Sequence, residues 1–260
     1  MLDPGIISDL EKGMKGYSPE LYRIAGDVAK ALQPIGLAIL MLLFIIELQN
    51  VSRKAADGGG LSIEVMSNIA MKYIVALAFV MASSMILNAV LWFGIQVIKW
   101  TGSVVTQTDL TFGLLDMKGV KGFVPKAIAW GLIAITHLLR VFLNLIAAVM
   151  VIFRFVQLYL YKSIAPILVA FYLNDETKSI SIGFFKQFGA HVLQGALLIL
   201  ISGLAPAIMG VDLEKFVNSS GFDAFGIFLM SAAVAIVKVC YLIFLIIGSA
   251  GFAKRLVGAN

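Results

Sequence analysis

Residues 125–173 read PKAIAWGLIAITHLLRVFLNLIAAVMVIFRFVQLYLYKSIAPILVAFYL, a stretch of nearly fifty residues that contains no acidic side chain. A single helix from Pro125 to Lys162 would be roughly 57 Å long, whereas the hydrocarbon core of a bilayer is about 30 Å thick. Pro166 has no backbone N–H and clashes with the preceding turn, so the sequence predicts a helix break at Pro166, near Ser163 to Ala165. The short apolar stretch after this break is predicted to be a re-entrant or broken segment.

The composition is that of a membrane protein. Of the 260 residues, 60% are apolar and 13% are charged, and several apolar runs approach twenty residues. Lipid accepts backbone polar groups only inside a helix or a closed barrel, and the sequence shows no alternating strand pattern. The predicted fold class is therefore all-α, a polytopic helical membrane protein. About five transmembrane helices are expected, near 31–48, 69–98, 125–160, 191–210 and 225–250.

The first thirty residues are predicted to form an amphipathic N-terminal region. Ile6, Leu10 and Met14 recur at helical spacing with charged side chains between them, a pattern typical of a helix that lies on a membrane or against a partner. Ser18 and Pro19 predict the start of the next helix, because a hydroxyl can cap it and proline suits its first position. The predicted domains are residues 1–30, the transmembrane helical domain 31–250 and a short C-terminal tail, 251–260.

Four polar residues of the long third segment share one side of a helix. At 100° per residue, His137, Arg140, Asn144 and Arg154 fall within an arc of roughly 100°. An ionisable group at the bilayer centre costs ~2.5 to 3.5 kcal/mol, so we expect this polar wall to face other helices, a partner subunit or water. The alternative is a membrane core limited to residues 141–153, in which Arg140 and Arg154 snorkel to the headgroups and Asn144 alone is inside.

Lys238 lies near the centre of the last apolar run. At that depth its ammonium needs a carboxylate, carbonyl groups or water. Glu47 is the acid inside or close to an apolar run, so a buried ion pair between Glu47 and Lys238 is one predicted arrangement. Lys238 then either stabilises the bundle or a subunit contact, or it lines a transport path.

The sequence predicts neither catalysis nor a bound metal or cofactor. His137 and His191 are far apart and lack neighbouring ligands at the required spacing, and Cys240 is the only cysteine. No nucleophile with a base and no carboxylate pair appears at usable spacing. The glycines at 58–60 lack the Lys-Ser/Thr that follows in a phosphate loop.

Charge in the connections predicts the orientation. With five spans, the cytoplasmic connections and C-terminus hold nine Lys and Arg residues, Lys162 among them, against five in the outer connections. This bias favours an outer N-terminus and a cytoplasmic C-terminus, although the basic residues of the N-terminal tail bring the totals to nine and nine. A six-span arrangement would place the basic C-terminus outside, so five spans are preferred.

The order of elements resembles the polytopic inner-membrane channel subunit of conjugative type IV secretion systems, the TrbL-like group. The shared layout is an amphipathic N-terminus, a long loop between the second and third spans, and a long third helix. The strongest local likeness is YKSIAPILVAFYLNDETKSISIGFFKQFGAHVLQG, from Tyr161 to Gly195. This segment is similar to versions found in Gram-positive conjugative plasmids and transposons.

The resemblance implies a subunit of the bacterial inner membrane that forms a homo-oligomeric ring or channel platform for DNA and protein translocation. The implied partners are membrane lipids, further copies of the chain, other secretion subunits including cytoplasmic ATPases, and transiently the transferred DNA or relaxase. A basic wall repeated around a ring would give a positive passage. Two other interpretations stay open: a small-anion secondary transporter with Lys238 and Arg140 as substrate clamps, and a structural membrane scaffold.

Overall fold

The fold consists of helices, as seen in a computed structural model that describes residues 3–54, 63–105, 121–218 and 223–259. No strand is found within these ranges, so the all-α prediction is confirmed. The helices, in chain order, are α1 (Pro4–Glu11), α2 (Met14–Tyr17), α3 (Pro19–Lys54), α4 (Ile63–Val104), α5 (Phe123–Ala170), a 3₁₀ helix (Phe171–Leu173), α6 (Lys178–Asn218) and α7 (Ala224–Val257).

The five helices α3 to α7 are long and apolar enough to cross a membrane. Each contains one of the predicted apolar segments and extends beyond it at both ends. The protein is therefore a polytopic helical membrane protein. The residues predicted to form the C-terminal tail include the last turns of α7, which continues to Val257. The predicted long loop between the second and third spans lies mostly outside the described residues, and the glycines at 58–60 lie wholly outside them.

Large apolar side chains cover much of the outer surface of these helices. Met41, Met85, Trp92 and Phe244 are each more than 60% exposed. Water would penalise so many exposed apolar groups, whereas lipid would not, because the hydrophobic effect favours transferring them out of water. The surface is thus suited to a hydrocarbon environment.

The chain divides into two compact units, which we describe separately. The first unit comprises Met1–Glu11, Gln96–Arg154 and Leu193–Ala253, and the second unit comprises Lys12–Ile95, Phe155–Val192 and Lys254–Asn260. In the first unit, α7 presents a buried face at helical spacing: Phe228, Ala232, Ala235, Lys238, Val239, Leu242 and Ile246.

In the second unit, residues 12–18, here called the N-terminal segment, pack on α5 of the same chain. The ring of Tyr17 stacks on Phe155 with centroids 3.9 Å apart, and the Tyr159 hydroxyl donates a 2.6 Å hydrogen bond to the Met14 carbonyl. These contacts supply a partner for α2 within the chain itself. The predicted start of α3 is confirmed, because α3 begins at Pro19 and the Ser18 hydroxyl accepts a 3.3 Å hydrogen bond from the N–H of Leu21.

The predicted helix break at Pro166 is wrong. The α5 helix continues through Pro166 to Ala170, and the interruption comes there, as the 3₁₀ helix. Proline inside a helix costs about 3 kcal/mol, but breaking the helix in lipid would leave further backbone groups unpaired at several kcal/mol each. The turn of α5 that contains Pro166 also lies against α3. A methyl group placed on Gly36 of α3 would be only 2.5 Å from the Pro166 carbonyl oxygen. Glycine at position 36 permits this close approach.

Candidate functional site

The predicted polar wall of α5 lies in more than one environment. His137 and Arg140 are exposed, Asn144 is half-buried and Arg154 is completely buried. The side of a helix on which a residue lies can be predicted from spacing, but the neighbours packed on that side change along a helix as long as α5. The wall therefore separates into an outward-facing pair and an enclosed arginine.

The outward-facing pair lies within an apolar part of α5. Leu138 and Val141, beside His137 and Arg140, are 57% and 63% exposed. A cation on a lipid-facing surface costs ~2.5 to 3.5 kcal/mol unless polar groups of its own chain, another polypeptide, water or the headgroups receive it. Arg140 can still snorkel to the headgroups. Arg154 cannot, because its side chain is completely buried.

Arg154 lies in the first unit, where α6 packs against its side chain. A methyl group placed on Gly195 would lie 2.6 Å from both the guanidinium carbon of Arg154 and the terminal methyl group of Ile98. Glycine at position 195 thus allows α6 to pass directly over the guanidinium, which contributes to packing between α4, α5 and α6.

Glu47 has a partner other than the predicted Lys238. The Lys72 ammonium lies 3.0 Å from one carboxylate oxygen of Glu47, and the Tyr73 hydroxyl donates a 2.7 Å hydrogen bond to the other. Residues 47 and 72 stand at similar distances from the middle of the α3–α4 connection, so consecutive helices folded back on each other bring them together. Lys238 is 6% exposed on the buried face of α7.

Lys162 was predicted to be one of the basic residues on the cytoplasmic side, and its burial was not predicted. Lys162 is 2% exposed, and its ammonium lies 3.2 Å from the centroid of the Tyr22 ring. The Asn88 amide donates a 3.1 Å hydrogen bond to the Tyr22 hydroxyl. A signal was present, because Lys162 falls at helical spacing between the apolar residues Leu158 and Ala165, both of which are fully buried.

A cavity of about 620 Å³ adjoins Lys162 in the second unit. Residues of α3, α4 and α5 line it, together with Lys15 of α2. The charged side chains of the lining are Lys15, Arg23, Asp27, Lys30 and Lys162. Its lining is therefore predominantly basic.

Within the described ranges, no group of three or more metal-ligating side chains is placed to hold a metal ion. His191 is 3% exposed, with its ring centroid 5.5 Å from that of Tyr161, so it packs among aromatic side chains. Cys240 is a half-buried free thiol.

A protein-family model described as "TrbL/VirB6 plasmid conjugal transfer like protein" matches residues 5–166. The match covers more than half of the 260 residues and extends from α1 into α5. The segment from Tyr161 to Gly195, which carried the strongest local resemblance, lies mostly beyond the matched residues. No curated protein and no solved structure gives a match.

Proposed function

Since the chain belongs to the TrbL/VirB6 plasmid conjugal transfer-like family, we propose that it is a membrane-embedded subunit of a conjugative type IV secretion machine. In this proposal, copies of the chain form a ring or channel platform for the translocation of DNA and protein. The subunit sits in the bacterial inner membrane with its N-terminus outside and its C-terminus in the cytoplasm. It works by assembly and gating and has no catalytic chemistry of its own.

The observation that best supports assembly is the exposure of His137 and Arg140 on the apolar surface of α5. Residues three apart on a helix are neighbours, so the two side chains form one outward-facing polar patch. A second copy, or an aqueous path bounded by further copies, would relieve the cost of leaving this patch against lipid. Repeated around a ring, the patch would also place positive charge where a polyanion passes.

The burial of the other candidate residues gives them a different part in the proposal. Arg154 and Lys238 are enclosed by their own chain, so we assign them to packing within the first unit. Asn144, half-buried one turn beyond Arg140, borders the patch. The small-anion transporter gains no support from its proposed clamps, because Lys238 is buried and Arg140 is exposed.

The proposed partners follow from the family. They are further copies of the chain, membrane lipids, other secretion subunits including cytoplasmic ATPases, and transiently the transferred DNA or relaxase. Co-purification of the tagged chain with the other components of its conjugative element would support the proposal. A chain purified alone that binds a small anion and associates with none of these components would favour the transporter.

Conjugative transfer in a strain that carries only variant copies of the chain tests the role of the patch. We expect the double variant His137→Asn, Arg140→Gln to lower the transfer frequency by about tenfold or more, because arginines that become buried at an interface between subunits are frequent binding hot spots. Arg255→Gln is the matched control, since Arg255 is an exposed cation at the end of α7. Undiminished transfer by the double variant at normal protein levels would remove the patch from the mechanism.

A further inference from the structure

The cavity beside Lys162 has an excess of positive charge. Four cations line it, Lys15, Arg23, Lys30 and Lys162, against one acid, Asp27, which gives a formal balance of 4 − 1 = +3. Arg23 and Asp27 pair with each other at 3.4 Å on an exposed part of α3. The three lysines therefore carry the excess, and this favours an anionic occupant.

Lys162 differs from the other three cations because it is buried. Removing an ammonium group from water is costly, and a cation–π contact such as the one with Tyr22 offsets only part of that cost. An anion in the adjoining cavity would supply further compensation. The Tyr22 ring, held through its hydroxyl by Asn88, fixes the ammonium at the cavity wall.

Neutral donors complete the polar side of the cavity. Ser83 is 1% exposed and lines the cavity, and its hydroxyl has no hydrogen-bond partner within the described residues. The amides of Asn88 and Gln33 also line the cavity. Each already donates one N–H, to the Tyr22 hydroxyl and the Met81 carbonyl respectively, and each has a second N–H. A buried hydroxyl without a partner is destabilising, so an acceptor oxygen in the cavity would stabilise it. Lysine, hydroxyl and amide donors together suit the several oxygens of a phosphate.

The size and apolar walls of the cavity indicate what carries the anion. A volume of about 620 Å³ lies within the ~300 to 1,000 Å³ typical of small-molecule sites. Met81 and Met85 of α4 line it and are 61% and 75% exposed on the apolar outer surface. A headgroup in the cavity could therefore be continuous with acyl chains along α4.

We propose that this cavity is a binding site for a phosphate group, presented either by the headgroup of an anionic phospholipid or by free phosphate. Lys162 and Ser83 hold the phosphate from the buried side, and Lys15 and Lys30 attract it at the opening. The site uses none of the residues of the α5 patch and does not depend on ring formation.

Two substitutions disturb the cavity in different ways, and each has a matched control. Lys162→Gln removes the buried charge, with Lys126→Gln as its control on an exposed part of the same helix. Gly26→Phe fills the cavity, because Gly26 lines it and a methyl group placed there meets nothing within 4 Å. Gly131→Phe is the control, since Gly131 also has open space around it but does not line the cavity.

The experiment uses the full chain in nanodiscs of phosphatidylcholine, to which either phosphatidylglycerol or inorganic phosphate is added in steps. Native mass spectrometry counts retained lipid, and thermal unfolding reports stabilisation by the bound ligand. We expect one of the two additions to raise the Tm of the wild type and both controls. We expect Lys162→Gln to bind about tenfold more weakly and Gly26→Phe to lose the response.

The two additions distinguish the sources. A response to phosphatidylglycerol alone identifies a lipid headgroup, and a response to inorganic phosphate in phosphatidylcholine identifies free phosphate. Equal responses in all variants would overturn the proposal, because the anion would then act elsewhere. Preferential binding of a single-stranded oligonucleotide that depends on both Lys162 and Gly26 would also overturn it, since the site would then serve DNA.

Discussion

Substituting Gly36 tests the contact between α3 and α5 that carries the helix through Pro166. In Gly36→Ala, the new methyl group would lie 2.5 Å from the carbonyl oxygen of Pro166 and 2.9 Å from its carbonyl carbon. The oxygen would then be about 1 Å inside an ordinary van der Waals contact. Both atoms belong to the backbone, so no side-chain rotation relieves the overlap and the two helices must separate. Overpacking of this kind costs about 1 to 3 kcal/mol.

Gly26→Ala is the matched control on the same helix. A methyl group at Gly26 meets nothing within 4 Å. The free energy of unfolding of this variant should therefore rise by up to about 1 kcal/mol, because alanine has a higher helix propensity than glycine. The two variants should therefore differ by about 2 kcal/mol, with a Tm for Gly36→Ala that is about 4 to 8 °C lower. Thermal unfolding of both proteins in identical nanodiscs measures the difference. Equal Tm values, or a higher Tm for Gly36→Ala, would refute the close approach of α3 to Pro166.

Two further substitutions test polar contacts within the second unit. Tyr159→Phe should lower the free energy of unfolding by about 1 kcal/mol, because the Met14 carbonyl loses the hydroxyl donor and keeps only the N–H of Ser18. Limited proteolysis should then cleave the N-terminal segment faster than in the wild type, and unchanged proteolysis would show that this bond does not hold the segment. Glu47→Gln should lower the free energy of unfolding by about 1 to 2 kcal/mol, because it weakens the contacts with Lys72 and Tyr73. A double-mutant cycle with Lys72→Gln should give a coupling energy near 1 kcal/mol. Strictly additive losses would contradict the pairing.

The features that were predictable from the sequence are those set by local chemistry. Apolar runs bounded by charged residues locate the five long helices, because hydrocarbon admits only backbone whose polar groups are paired internally. The start of α3 followed from Ser18 and Pro19, whose side chains favour a helix N-terminus whatever the rest of the chain does. The exposed pair His137 and Arg140 was identified as unusual, although spacing alone did not show that it faces outward.

The missed features depend on contacts between residues that are distant in the chain. Lys162 reaches the Tyr22 ring across 140 positions, so its charge suggested an exposed connection while its place on the helix was that of a core residue. Pro166 was expected to end α5 on its intrinsic preference, but lipid and the contact with Gly36 favour continuation. The pairing of Glu47 with Lys72 depended on how α3 and α4 align, which residue type does not determine.

The central claim is that copies of this chain assemble through or around the exposed patch of α5. Cryo-electron microscopy of the full chain in nanodiscs would test it most directly, because it yields the number of copies and the surroundings of each helix. The proposal predicts a closed ring in which His137 and Arg140 lie at the contacts between subunits or face the ring axis. A monomer in which both side chains lie against lipid would contradict it.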